Sequence, residues 1–269
     1  MSARRSLARA LLLAVMLMSA LSGCVTQTRN GPAPPSQAAL DAARAAELRY
    51  RAKVHTDLAA AYYARSQFPI ALEEIESALQ SDARFVGAWN LRGLVYMALR
   101  EDQEAERSFQ QGFRIAPSDP ELANNYGFFL CNRGREREGL VRLESAIKDP
   151  LYQTPEKPLV NAGLCALRVR DDAAAEGWLR RAVQVAPTDP QGAYALAILL
   201  ERTGRPGEAR EFLRPLLRGD APSLEALQLM VKLDQTLQDP VQLREHTELL
   251  KKQYPASGAA PATSLEVRP

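Results

Sequence analysis

Small residues recur along this chain at a nearly fixed distance. Ala59, Gly93, Gly127, Gly163 and Ala197, with Val231 in the last and weakest slot, are separated by 34, 34, 36, 34 and 34 residues. Units of that length bury their apolar faces only by stacking on copies of themselves, so the period constrains the architecture before any single element is assigned. Apolar residues between these slots follow helical spacing, and no run of alternating β-branched residues occurs, so an all-α chain is expected. Within a unit, small residues such as Gly93 and Ala105 let two helices approach closely, while Trp89, Tyr96 and Phe109 fill the space between hairpins. Prolines in APSDP and APTDP end one hairpin and begin the next.

The pattern resembles the tetratricopeptide repeat, W-x2-L-G-x2-Y followed by A-x3-F and P. The second unit carries most of it in Trp89, Gly93, Tyr96, Ala105, Phe109 and Pro117, with Arg92 where leucine is usual. Tyr62, Ala71 and Ala78 continue it in the first unit, and Ala175, Leu179, Ala182 and Pro187 in the fourth, whereas the sixth keeps little beyond Leu227 and Pro255. The resemblance implies a tetratricopeptide-repeat superhelix of about six helix-turn-helix repeats, drawn over residues 37–257. The two extra residues of the long interval fall in DPLYQTPEKP, where Pro150, Pro155 and Pro158 lengthen the turn.

The N-terminus reads as targeting rather than fold. Arg4, Arg5 and Arg9 precede an apolar run, Ala10 to Leu21, too short for a comfortable membrane span. It ends in Leu-Ser-Gly-Cys, which resembles a bacterial lipobox with Cys24 as the acylated residue. Residues 1–23 are then a lipoprotein signal peptide, 24–36 a lipidated, proline-rich tether, and 258–269 a disordered tail. Removing three arginines from 34 basic residues against 32 acidic ones gives 31 − 32, a mature charge of −1, which argues against nucleic acid as partner. Several acyl chains on Cys24 would hold the chain at a membrane, since each buried methylene contributes about 0.8 kcal/mol.

Catalytic chemistry finds little support. His55 and His246 are the only histidines, both within repeat helices, and His55 fills the slot of Trp89 in the next unit. No zinc-protease or phosphate-loop motif occurs, and Ser145 and Lys148 match S-x-x-K without its companion motifs. No cofactor, metal or small-molecule substrate is expected. The run RGRERE, Arg133 to Glu138, reads as a solvated turn. Cys131 and Cys165 lie on the first helices of adjacent units, four residues past Gly127 and two past Gly163. In an oxidising compartment a bridge between them is the favoured expectation, two buried free thiols the alternative.

In a tetratricopeptide stack the first helices line the concave face. By that resemblance the residues around each small slot form a partner-binding groove: Tyr63, then Asn90, Leu94 and Met97, then Asn124, Asn125 and Phe128, then Asn161, Leu164 and Arg168. Amides that both donate and accept suit an extended peptide backbone, and the apolar residues between them would supply pockets.

The lipobox, tether, six repeats and the strings NNYGFFLCNRGR and DPLYQTP together resemble the type IV pilus biogenesis and stability lipoproteins PilF and PilW, pilotins of the pilus secretin. The resemblance implies an outer-membrane lipoprotein facing the periplasm. Its partner would be a PilQ-like secretin, whose multimerisation it promotes for pilus assembly and twitching motility. A general scaffold for another envelope machine is the alternative.

Overall fold

In the computed structural model, residues 35–218 and 222–255 are described. The expected signal peptide, Cys24, most of the tether and the tail lie outside them. The chain divides into Met1–Arg44 and Ala45–Pro269. Of the first, the described part is the start of α1, exposed along its length.

Ala45–Pro269 is built of helical hairpins. Its pairs are α1 (Gln37–Ala64) with α2 (Phe68–Ser81), α3 (Val86–Ala98) with α4 (Asp102–Ile115), α5 (Pro120–Asn132) with α6 (Glu136–Ile147) and α7 (Glu156–Arg168) with α8 (Asp172–Val185). They continue with α9 (Pro190–Arg202) and α10 (Pro206–Leu213), the latter extended by a 3-10 turn, Arg214–Leu217, and with α11 (Leu224–Thr236) and α12 (Pro240–Gln253). Among the described residues there is no strand, and no helix is long and apolar enough to cross a membrane.

The slot residues act as the spacing requires. A methyl group added at Gly93 would lie 2.5 Å from the Phe109 ring, and one at Gly163 2.6 Å from Leu179, so the second helix seats a large side chain against bare backbone. The proline signals are helix starts: Asp119, Asp189 and Asp239 cap α5, α9 and α12 by accepting from the backbone N–H of Leu122, Gly192 and Gln242, with proline in the first turn.

Each hairpin closes in one way. The backbone N–H of Gln67, Glu101, Arg135, Asp171, Arg205 and Asp239 donates to the carbonyl five residues earlier, the Schellman bond of a helix C-terminus. The residue before each is left-handed: Ser66, Arg100, Gly134, Arg170, Gly204 and Gln238 have φ between 53° and 76°. These positions repeat the intervals of the slots, so the period is one of backbone geometry as well as packing.

Contacts also fix which layer is inside. The first helices α3, α5, α7, α9 and α11 each touch the next, whereas successive second helices make no comparable contact among the described residues. The layer whose members meet is the short side of the curve, so the first helices line the concave face of this unit.

The run at Arg133 departs from expectation. Arg133 pairs with Asp102 at 2.5 Å, and Arg135 bridges Glu106 at 2.5 Å and Glu138 at 2.8 Å, so the turn is tied to the preceding hairpin instead of merely solvated. The tie recurs where Arg205 grips Glu176, and with reversed polarity where Arg210 bonds Asp239 at 3.0 Å. The spacing is 29 residues in all three, the offset from a second helix to the next hairpin's turn.

Candidate functional site

Two side-chain rows run across the concave face. One is polar: Asn125 Nδ2 donates to Asn90 Oδ1 at 3.1 Å, Asn124 Nδ2 to Asn125 Oδ1 at 3.0 Å, and Asn161 Nδ2 to Asn124 Oδ1 at 2.9 Å. Three hairpins are thus joined through four amides, which satisfy much of one another's demand. At the two ends, Asn90 Nδ2 and Asn161 Oδ1 have no hydrogen-bond partner among the described residues. Glu121 extends the network, accepting from Asn125 at 3.5 Å and from the Tyr152 hydroxyl at 2.8 Å. Tyr152 comes from the lengthened turn before α7, and burial raises its pKa first, with Glu121 adding to the shift.

The second row is apolar. Leu94, Phe128 and Leu164 each follow a slot glycine directly and are half-buried on α3, α5 and α7. Ile198, after Ala197 on α9, continues the row with Tyr194 one turn before it; both were missed by sequence reasoning, although the slot offset that selects Leu94 selects Ile198 equally. Four hairpins therefore present one apolar strip.

Two expected groove residues are not open. Met97 packs with Phe109, Leu122 and Phe129, because four residues past the slot the helix face has turned toward the neighbouring hairpin. Asn124 is 3% exposed and works as the internal bridge of the amide row. Tyr63 is half-buried against Phe68, ring centroids 5.9 Å apart, and burial raises its pKa. Arg168 is exposed at the end of α7 and donates to Asn132 on α5.

Cys131 and Cys165 are joined by a disulfide with their Cα atoms 5.5 Å apart. It ties α5 to α7. Gly139 on α6 leaves room for it, since a side chain there would collide with the Cys131 sulfur.

The histidines are tied into the scaffold. His55 Nδ1 lies 2.7 Å from Glu74 of the same hairpin, and His246 Nδ1 lies 2.6 Å from the fully buried Asp234, which also receives Arg210 at 3.4 Å. Ser145 is exposed, and Lys148 pairs with Glu144 at 3.6 Å. Among the described residues no group of three His, Cys, Asp or Glu side chains is placed to hold a metal ion.

Stacked helical hairpins at this spacing agree with the family comparison, in which a tetratricopeptide repeat model matches residues 39–220. The chain belongs to the tetratricopeptide repeat family. It is similar to the type IV pilus assembly protein PilF of Pseudomonas aeruginosa, 24% identical over 245 residues that make up 91% of this chain and 94% of that one. Its fold matches the crystal structure of PilW, a widely conserved type IV pilus biogenesis factor, with a TM-score of 0.68 and 30% identity over 77% of this chain and 95% of PilW. The structure of Pseudomonas aeruginosa PilF matches at the same TM-score with 23% identity, over 79% of this chain and 95% of that one. This tetratricopeptide repeat chain spans nearly the whole of each relative.

Proposed function

We propose that this protein is a type IV pilus biogenesis factor that works by binding, without catalysis, as an outer-membrane lipoprotein pilotin. In this reading acyl chains on Cys24 hold it at the periplasmic face of the outer membrane. The concave strip takes an extended segment of a PilQ-like secretin and promotes the secretin's delivery and multimerisation. The observation that carries the reading is the likeness to PilW at 30% identity over nearly all of that structure, joined to a half-buried apolar residue at the same offset in four successive hairpins. Half-buried leucine, phenylalanine and isoleucine in a trough, edged by an amide row with free valences at its ends, suit a peptide with regularly spaced apolar residues.

Deleting the gene is expected to remove the heat-resistant secretin multimer and surface pili, together with twitching motility. Normal multimer levels in the deletion strain would reject the role. A Cys24→Ser chain is expected to leave the repeats folded and the secretin mislocalised; correct secretin localisation would show the lipid to be dispensable.

A further inference from the structure

Arg92 is the residue at which the second repeat departs from its family's pattern, and the concave strip makes no use of it. Its guanidinium lies over two rings, 5.4 Å from the centroid of Trp89 and 5.5 Å from that of Tyr96, and among the described residues it pairs with no carboxylate. Trp89 and Arg92 line a cleft of about 280 Å³ against α4, whose Glu104, Arg107, Gln111 and Arg114 form the facing wall. Arg107 pairs with Glu104, and Arg114 is held by the neutral Gln111, its Nε at 2.9 Å. Three guanidiniums therefore face one carboxylate. Several other arginines are matched by carboxylates, Arg180 with Glu176 and Glu208, Arg202 with Asp172, and Arg210 with Asp234 and Asp239, whereas Arg142 and Arg181 lie on rings singly rather than as part of a cluster of three.

We propose that this α3–α4 cleft is a second binding site, for an acidic peptide segment of a protein partner. Forked guanidiniums bond carboxylates in pairs, and Arg92, already flattened on two rings, meets a ligand with little further ordering. Arg107 and Arg114 are two turns apart on α4, about 10 Å. That is the reach of about three residues of extended chain, which suits successive carboxylates better than one isolated anion. Arg92 is half-buried, so a side chain entering the cleft reaches it and a flat layer of lipid headgroups does not. The site uses residues outside the concave strip and does not rest on the pilotin reading.

The test is fluorescence anisotropy of a labelled hexaglutamate peptide against the full chain in detergent, with hexaglutamine as the neutral control. Arg92→Leu restores the residue usual in the repeat pattern, and a double Arg107→Gln, Arg114→Gln variant alters only exposed positions. Saturable, salt-sensitive binding of hexaglutamate is expected, weakened by about tenfold or more in both variants. It is expected to be unchanged by Phe128→Glu in the concave strip. The proposal is overturned if hexaglutamate does not bind or if both variants bind it as the parent does. It is equally overturned if Phe128→Glu abolishes binding, or if inorganic phosphate or phosphatidylglycerol vesicles bind through Arg92 and the peptide does not.

Discussion

Six left-handed residues close the hairpins, and only two are glycine. For an L-residue with a side chain that conformation costs about 1 kcal/mol relative to glycine. Arg170, at φ 59° and exposed, is expected to gain stability on Arg170→Gly, whereas Gly134→Ala at φ 74° is expected to lose a similar amount. Urea unfolding of the two variants checks both signs. The slots show the opposite constraint: Gly93→Ala would press a methyl group into three atoms of the Phe109 ring and is expected to destabilise by about 1–3 kcal/mol. The slots were legible in the sequence because small residues stand out at a 34-residue period. The left-handed closures were not, because Ser66, Arg100, Arg170 and Gln238 carry no glycine signal and are held by the Schellman bonds around them. Asn124 was misplaced for a related reason: a polar residue beside a slot reads as groove-facing until its neighbour's amide is seen to satisfy it.

Between elements, ion pairs and one disulfide lock hairpin to hairpin. The hydrogen bond from Arg205 holds Glu176 down at about 2, against the opposing effect of burial and with help from Arg180. A carboxylate whose pKa is depressed by folding contributes stability above its unfolded value near 4.5, and that contribution is lost as pH falls toward about 2. Glu176→Gln should therefore cost stability at pH 6, and its difference from the parent should shrink over that acid window; unfolding midpoints at a series of pH values measure it. Periodicity revealed the helices and their order but not these ties, whose partners stand 29 residues apart in turns that look merely charged. The Cys131–Cys165 bridge was legible as one of two alternatives because adjacent first helices must touch. It closes a separation of 34 residues, so a double cysteine-to-serine variant is expected to lose about 4 kcal/mol in the chain-entropy view, and the parent purified under oxidising conditions to show no alkylatable thiol at either position before reduction.

For the whole molecule, stacking converts a one-dimensional repeat into a continuous inner surface. Leu94, Phe128, Leu164 and Ile198 occupy one offset in four successive hairpins, so a partner segment would meet an apolar contact at each of those four, with the amides of Asn90 and Asn161 beside it. What a sequence period cannot disclose is how much of such a row stays open once its members bond one another. Here Asn124 is closed off by its neighbours, while Leu94, Phe128, Leu164 and Ile198 all stay half-buried. The measurement that bears most directly on this account is recovery of the secretin with the purified chain carrying Phe128→Glu and Leu164→Glu together, compared with the parent and with a Val141→Glu control on α6. Loss of secretin from the double variant alone, with its helical circular dichroism intact, is the expected result. Undiminished recovery by the folded double variant would contradict the assignment of the inner strip as the binding surface.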